Sequence, residues 1–111
     1  MKLITKELEK IIPTFYSSED VELEEKIVYA KFFLADADWT WYILEYDKKT
    51  NTAFALVDGF ERELGYVSID ELESVRGHMD LSVERDISFK PIRYGDLKIW
   101  RVMMSLMNQL G

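Results

Sequence analysis

The chain has 111 residues, which fits a single domain spanning residues 1–111. It contains no cysteine, which excludes disulfides, thiolate catalysis and cysteine-ligated zinc. Its 21 acidic and 14 basic residues give a net charge of −7, which argues against direct nucleic-acid binding because phosphate contacts need Lys and Arg.

The N-terminal residues predict a short helix followed by a loop. Thr5 can cap a helix over residues 6–12, with Leu8, Ile11 and Ile12 facing inward. Pro13 then ends the helix, because its ring cannot continue the hydrogen-bond ladder. Residues 17–25, SSEDVELEE, form an acidic loop that we expect to be solvated.

Four strand patterns follow in chain order: residues 27–34, 40–46, 52–60 and 64–68. The second is apolar on both alternating faces, which is typical of a central strand. Strict alternation puts Trp41 and Ile43 on one face and Tyr42, Leu44 and Tyr46 on the other. The polar stretch DKKTN, residues 47–51, has the length and composition of a hairpin turn.

Ser68 predicts the start of a second helix, because Ser68 and Glu71 have the spacing of a capping box. Gly77 suits the left-handed position that follows a helix. Residues 87–92, ISFKPI, predict a fifth strand whose Pro91 lies at an edge or outside the ladder. The predicted fold class is therefore α+β, an antiparallel sheet of about five strands with flanking helices and an apolar C-terminal helix.

That last helix is predicted over residues 97–110, capped by Asp96. Apolar residues occupy most of its circumference, which is more than a helix resting on one sheet needs. We expect it to contact a second copy or a partner through its most adaptable side chains. The interface candidates are Trp100, Met103, Met104 and Met107. The alternative is a helix buried in the core of a single chain.

Motifs for catalysis are scarce. The sequence has no GxSxG, no GxGxxG and no GxxxxGK[ST], and its one histidine, His78, follows Gly77 in a polar connection. Residues 36–38, DAD, resemble the start of a calcium-binding loop. The residues that follow lack the glycine and the closing glutamate that such a loop needs. The sequence therefore predicts no cofactor, no metal and no catalytic residue, and it leans against an enzyme.

Carboxylates and aromatic residues supply the remaining site candidates. The acidic candidates lie on or beside paired strands, where they can bind Mg²⁺ or exchange protons if burial raises a pKa. The aromatic candidates lie near strand ends, where they can stack a planar ligand or anchor a partner. The candidates are Trp39, Tyr66, Glu45, Asp58, Glu61 and Glu63. The alternatives are a solvated acidic surface and ordinary aromatic core.

Four strings together carry a family resemblance: KIVYAKFF, WTWYILEYD, LVDGFERELGYVSIDELESVRG and ERDISFKP. Over about residues 1–91 the chain resembles the bacterial family called domain of unknown function 2958. The resemblance implies a small stand-alone protein of the kind carried by plasmids, phages and conjugative elements, and it transfers no activity and no site residues. The last helix departs from the pattern that the resemblance implies.

Two functions from different classes are consistent with these features. The first is a small non-enzymatic accessory protein of a mobile genetic element that binds a protein partner, for example as an anti-defence inhibitor or a DNA mimic. The alternative is a nucleotide-like small-ligand binder, or a minimal acid-dependent, metal-assisted hydrolase, with an aromatic cavity holding a carboxylate. No apolar run is long enough to span a bilayer and no signal pattern is visible, so we expect a cytoplasmic protein without a membrane partner.

Overall fold

The computed structural model describes residues 1–97, 106, 107 and 109. Three short helical segments accompany seven strands, and residues 94–97 are also helical. In chain order the elements are α1 (Lys6–Ile11), a 3-10 helix (Leu23–Glu25), β1 (Ile27–Val28), β2 (Ala30–Leu34), β3 (Trp39–Asp47), β4 (Thr52–Asp58), β5 (Arg62–Ser68), α2 (Ile69–Ser74), β6 (Glu84–Arg85) and β7 (Ile92–Arg93). The predicted α+β class is confirmed.

Five strands form one antiparallel sheet in the order β5-β4-β3-β2-β6, and β1 pairs with β7 in a separate two-stranded sheet. Short turns connect β2 through β5 into a meander, and the turn between β3 and β4 is the predicted DKKTN. The predicted central position of β3 is confirmed, because residues 41–46 are all buried. Both edges of the sheet, β5 and β6, therefore come from the second half of the described chain.

The core is divided between the two faces of the sheet. One face packs under the N-terminal segment and α2, with Phe32, Ile43 and Ile69 fully buried. The opposite face holds a smaller cluster around Leu44 and Tyr94. Within the described residues no helix is both long enough and apolar enough to cross a membrane.

A β-bulge in β3 changes the predicted faces. Ile43 lies opposite Ala55 and Glu45 lies opposite Phe54, so Leu44 is the extra residue. Beyond the bulge the alternation is reversed, and Tyr46 packs in the same cluster as Ile43. The prediction that Tyr46 shares a face with Leu44 was wrong, since strict alternation takes no account of an inserted residue.

The predicted caps of α1 and α2 are confirmed. The Thr5 hydroxyl accepts from the amide of Leu8 at 3.2 Å, and the Ser68 hydroxyl accepts from the amide of Glu71 at 3.2 Å. Of the three residues predicted to face inward, Leu8 and Ile12 pack in the larger cluster, whereas Ile11 is exposed. Ile12 has an extended backbone after the helix, so the helical period does not reach it.

Two predicted strands are organised differently in the structure, whereas the bounds of the other three shift by one or two residues. Residues 27–34 are divided at Tyr29, where β1 leaves for β7 and β2 joins the main sheet. Of the predicted strand 87–92, residues 87–88 form a turn, residues 89–91 have no regular secondary structure, and only Ile92 pairs. The amide and hydroxyl of Ser88 donate to Asp86, closing that turn and lowering the pKa of the Asp86 carboxyl.

The last helix begins at Tyr94, which places Asp96 in its first turn instead of at the cap. Asp96 receives two hydrogen bonds from Arg93, and that contact lowers the pKa of the Asp96 carboxyl. Of the four interface candidates, Met107 is exposed. Trp100, Met103 and Met104 lie outside the described residues, so an interface on this helix stays a prediction.

Gly77 has a different role from the one predicted. Its φ is not positive, and α2 ends before it at Ser74. A Cβ at Gly77 would lie 1.7 Å from Oδ1 of Asp36 in the turn between β2 and β3. Oδ2 of the same side chain accepts from the amide of Met79 at 2.8 Å. Glycine is therefore needed because the two loops meet closely, with a carboxylate between them.

We expect Gly77→Ala to lower the free energy of unfolding by about 1–3 kcal/mol, since the added methyl group must displace Asp36 from a packed contact. Gly65→Ala is the matched control, because a Cβ there meets nothing within 4 Å. It should leave the stability unchanged or raise it by up to about 1 kcal/mol. Urea unfolding of both variants measures the difference, and equal stabilities would contradict the proposed contact.

Candidate functional site

Glu45 is a buried carboxylate on the smaller face of the sheet, only 3% exposed. The bulge at Leu44 turns it away from the larger cluster and toward the loop that follows α1. Its Oε1 accepts from the amide of Tyr16 at 3.0 Å, and its Oε2 accepts from the amide of Ser18 at 3.0 Å and from the Ser18 hydroxyl. Lys26 donates to the carbonyl of Ser18, so a cation closes the network. Glu45 therefore anchors the loop from within.

A cavity of about 300 Å³ lies above Glu45. Three aromatic side chains and three charged ones line it: Tyr16, Glu19, Lys26, Glu45, Phe54 and Tyr66. The rings of Phe54 and Tyr66 lie 5.1 Å apart, and Phe15 contacts the Tyr66 ring edge-on at 5.2 Å. Of the predicted site residues, the fold thus brings Glu45 and Tyr66 together in one cavity.

The Tyr66 hydroxyl has an unusual environment for a side chain that is 55% exposed. Partial removal from water raises the pKa of Tyr66, and the neighbouring Tyr16 hydroxyl and the Glu45 and Glu19 carboxylates raise it further. The raised pKa widens the pH range in which the phenol keeps its proton, at the mouth of the cavity.

Trp39 lies at the other end of the sheet and does not contribute to the cavity. It is half-buried, stacks on Trp41 with ring centroids 5.9 Å apart and meets Phe60 edge-on at 5.6 Å. A Cβ at Gly59 would lie 2.5 Å from the Trp39 ring, so the β4–β5 turn rests directly on it. The exposed aromatic here is Phe60, 95% exposed, which sequence reasoning missed.

The remaining acidic candidates do not assemble into a catalytic pair or metal site. Asp58 ends β4 and pairs with Arg62 at 3.8 Å. Glu61 and Glu63 are exposed on the same hairpin, away from Glu45, which pairs with Phe54. Among the described residues, no group of three or more His, Cys, Asp or Glu side chains lies close enough to hold a metal ion.

Within the described residues, strand β5 is a seven-residue edge of the sheet with no strand on its outer side. The amide of Ile69 donates to the carbonyl of Asn51, and the amide of Gly59 donates to the carbonyl of Glu61. Both bonds continue the β4–β5 register, in which hydrogen-bonded pairs alternate along the strands. The residues of β5 that bond to β4 are therefore the odd-numbered ones. The backbone groups of Arg62, Leu64 and Tyr66 consequently point away from the sheet. Within the part of the chain that the structure describes, no residue bonds to them.

Exposed apolar side chains accompany this open edge. Leu64 and Tyr66 are 44% and 55% exposed and lie on the face that carries the cavity. Natural sheets usually shorten, bulge or cover such edges. Here the register with β4 runs without a shift over all seven residues. Backbone, apolar side chains and cavity therefore form one continuous surface, which we call the β5 surface: Arg62, Leu64, Tyr66 and the cavity residue Tyr16.

The family described as protein of unknown function (DUF2958) matches residues 3–101. The chain belongs to this family. The match continues beyond residue 91 and takes in the first turn of the last helix, further than the sequence resemblance extended. No curated protein and no solved structure matches the chain. The assignment to DUF2958 thus agrees with the resemblance and leaves the function to be argued from the β5 surface.

We expect Glu45→Gln to lower the free energy of unfolding by about 1–3 kcal/mol, because an amide nitrogen cannot accept from the buried donors of Tyr16 or Ser18. The same variant should make the loop after α1 more sensitive to limited proteolysis. Glu63→Gln is the matched control at an exposed site and should change stability by less than about 0.5 kcal/mol. An equal response of both variants would rule out the anchoring role.

Proposed function

We propose that this DUF2958 protein is a small non-enzymatic accessory protein that binds a protein partner by adding a strand of the partner to β5. The observation that carries the proposal is the seven-residue edge whose outward backbone groups at Arg62, Leu64 and Tyr66 are unpaired within the described chain. Added strands gain affinity from main-chain hydrogen bonds and specificity from side-chain pockets. The cavity beside Tyr66 supplies such a pocket.

The partner segment should be extended and basic. Four exposed carboxylates lie on or beside β5 and α2, where Arg62 is the one cation among residues 61–74: Glu61, Glu63, Asp70 and Glu71. All four are exposed, so they attract a basic segment before contact and disfavour an acidic one. A lysine or arginine side chain entering the cavity would meet two tyrosines and the Glu19 carboxylate, and it would share the cavity with the Lys26 ammonium, which is bonded to the Ser18 carbonyl.

The mobile-element setting implied by the resemblance suggests where such a segment comes from. An accessory protein in the host cytoplasm meets both host proteins and proteins of its own element. Inhibition of a defence protein, by covering a basic surface as DNA would, is one form of this binding. Self-association through the C-terminal helix is a separate proposal that needs none of the β5 surface.

The cavity also favours a second candidate, a small planar ligand such as a nucleotide. An aromatic cavity with a carboxylate inside is what that reading predicts, and one is present. It ranks second because both oxygens of Glu45 are already bonded to the loop, so the carboxylate has a structural task. Thermal-shift and calorimetric titration with nucleotides would support this candidate through binding that Tyr66→Ala abolishes.

The strand-addition proposal is tested with Leu64→Pro. Proline removes the outward N–H of residue 64 while the neighbouring bonds to β4 remain, and proline is tolerated on edge strands. Tagged wild type, Leu64→Pro and Ile87→Ser would capture proteins from a lysate of the host, with yields compared by mass spectrometry. Ile87→Ser removes an exposed apolar side chain that lies outside the β5 surface.

We expect one stoichiometric protein with wild type and Ile87→Ser, and at least a tenfold loss with Leu64→Pro. Raising the salt concentration should weaken capture, because a basic segment on an acidic edge is screened. Equal capture by all three proteins would place the partner elsewhere on the molecule. Far-UV circular dichroism confirms that Leu64→Pro remains folded.

A further inference from the structure

We propose that β5 also pairs with β5 of a second copy of this chain, antiparallel and around a two-fold axis at Gly65. The two five-stranded sheets would then join into one continuous sheet. This inference goes beyond the proposed function, because it requires no other protein. It concerns what the open edge does when no partner is bound.

The register follows from the hydrogen-bond parity of β5. Outward backbone groups belong to even-numbered residues, so even-numbered residues must face even-numbered residues across the new pair. A two-fold axis must therefore pass through a residue and not between two. Only the axis at Gly65, the middle residue of β5, lets the whole strand overlap with its copy.

Side-chain chemistry favours the same register. With the axis at Gly65, Leu64 of each copy faces Tyr66 of the other, an aliphatic–aromatic cross-strand pair. Glu63 then faces Val67, and Arg62 faces Ser68, so no like charges are opposed along the strand. An axis at residue 63 would place Glu63 against itself. An axis at Tyr66 would oppose Glu61 with Glu71 and shorten the overlap.

Gly65 suits the axis position. Its backbone bonds point to β4, so the two Gly65 residues would form a non-hydrogen-bonded pair, where Cα atoms approach to about 4.5 Å. Glycine inside a strand is unfavourable by itself and often marks a close approach of another backbone. The position of its absent Cβ is open, with nothing within 4 Å.

Electrostatics sets the conditions under which the pair forms. Each copy carries a net charge of −7, and Glu61 of one copy would lie beside Asp70 and Glu71 of the other. Repulsion opposes pairing at low salt, and screening at higher salt relieves it. Salt should therefore strengthen pairing between two copies and weaken binding of a basic partner, so salt dependence separates the two uses of the edge.

The absence of native cysteine permits a clean crosslinking experiment with purified protein. Gly65→Cys would place two thiols across the axis at a Cα separation of about 4.5 Å, inside the disulfide range of about 4.4–6.8 Å. Glu63→Cys is the control on the same strand and face. Its two copies would stand four residues apart along the strand, about 13 Å, beyond disulfide reach.

In a glutathione redox buffer we expect Gly65→Cys to become mostly disulfide-linked dimer, with at least tenfold less dimer for Glu63→Cys. Adding Leu64→Pro to Gly65→Cys should reduce crosslinking several-fold, and raising salt should increase it. Sedimentation of the wild type should show a reversible dimer that Leu64→Pro weakens.

Equal crosslinking of Gly65→Cys and Glu63→Cys would overturn the register, because random collision treats both thiols alike. A wild type that stays monomeric at every concentration, with no crosslink at Gly65→Cys, would overturn the pairing itself. Neither result depends on the host lysate, so failure here is distinct from failure to capture a partner.

Discussion

One inserted residue in β3 determines on which face of the sheet the side chains that follow it lie. Strict alternation from Trp41 and Ile43 would send the Glu45 carboxylate into the larger apolar cluster, where a charge without donors is costly. The bulge at Leu44 turns Glu45 to the opposite face, beneath the loop after α1. There two backbone amides and a hydroxyl donate hydrogen bonds to the Glu45 carboxylate. Tyr46 takes the vacated direction and completes the larger cluster.

The loop held by Glu45 in turn shapes the surface beside β5. Tyr16 has a positive φ, and its amide is bonded to Glu45, so its ring is held out beside Tyr66. The other edge of the sheet is different, because β6 has only two residues and offers little template for another strand. The β6 edge is thus too short to pair extensively, whereas the β5 edge is long and regular and has aromatic side chains beside it.

Sequence patterns predicted the parts of this fold that depend on local chemistry. The caps at Thr5 and Ser68 and the central strand β3 follow from residue type and period, and each is confirmed. The bulge at Leu44 and the close contact of Gly77 with Asp36 depend on segments distant in sequence, so no local pattern contains them. Residues 87–92 have strand composition, but the Asp86 side chain closes a turn there instead.

The candidate site was predicted only in part for the same reason. Glu45 and Tyr66 meet because β3 and β5 both flank β4, whereas Trp39, Asp58, Glu61 and Glu63 lie elsewhere on the hairpin and sheet. Phe60 carried a readable signal, since an aromatic directly after Gly59 in a turn has little to bury it. Unpaired backbone groups are invisible in a sequence, and only sheet order identifies β5 as an edge.

An open strand edge by itself selects nothing, because every extended backbone offers the same donors and acceptors. Selectivity on β5 must therefore come from side chains and charge. A second copy offers apolar side chains to Leu64 and Tyr66 at the centre, but it brings repelling carboxylates to both ends. A basic segment brings attracting charges to both ends instead. A strand edge with an apolar middle and acidic ends would thus hold its own copy weakly and yield it to a basic partner, without any change in the fold.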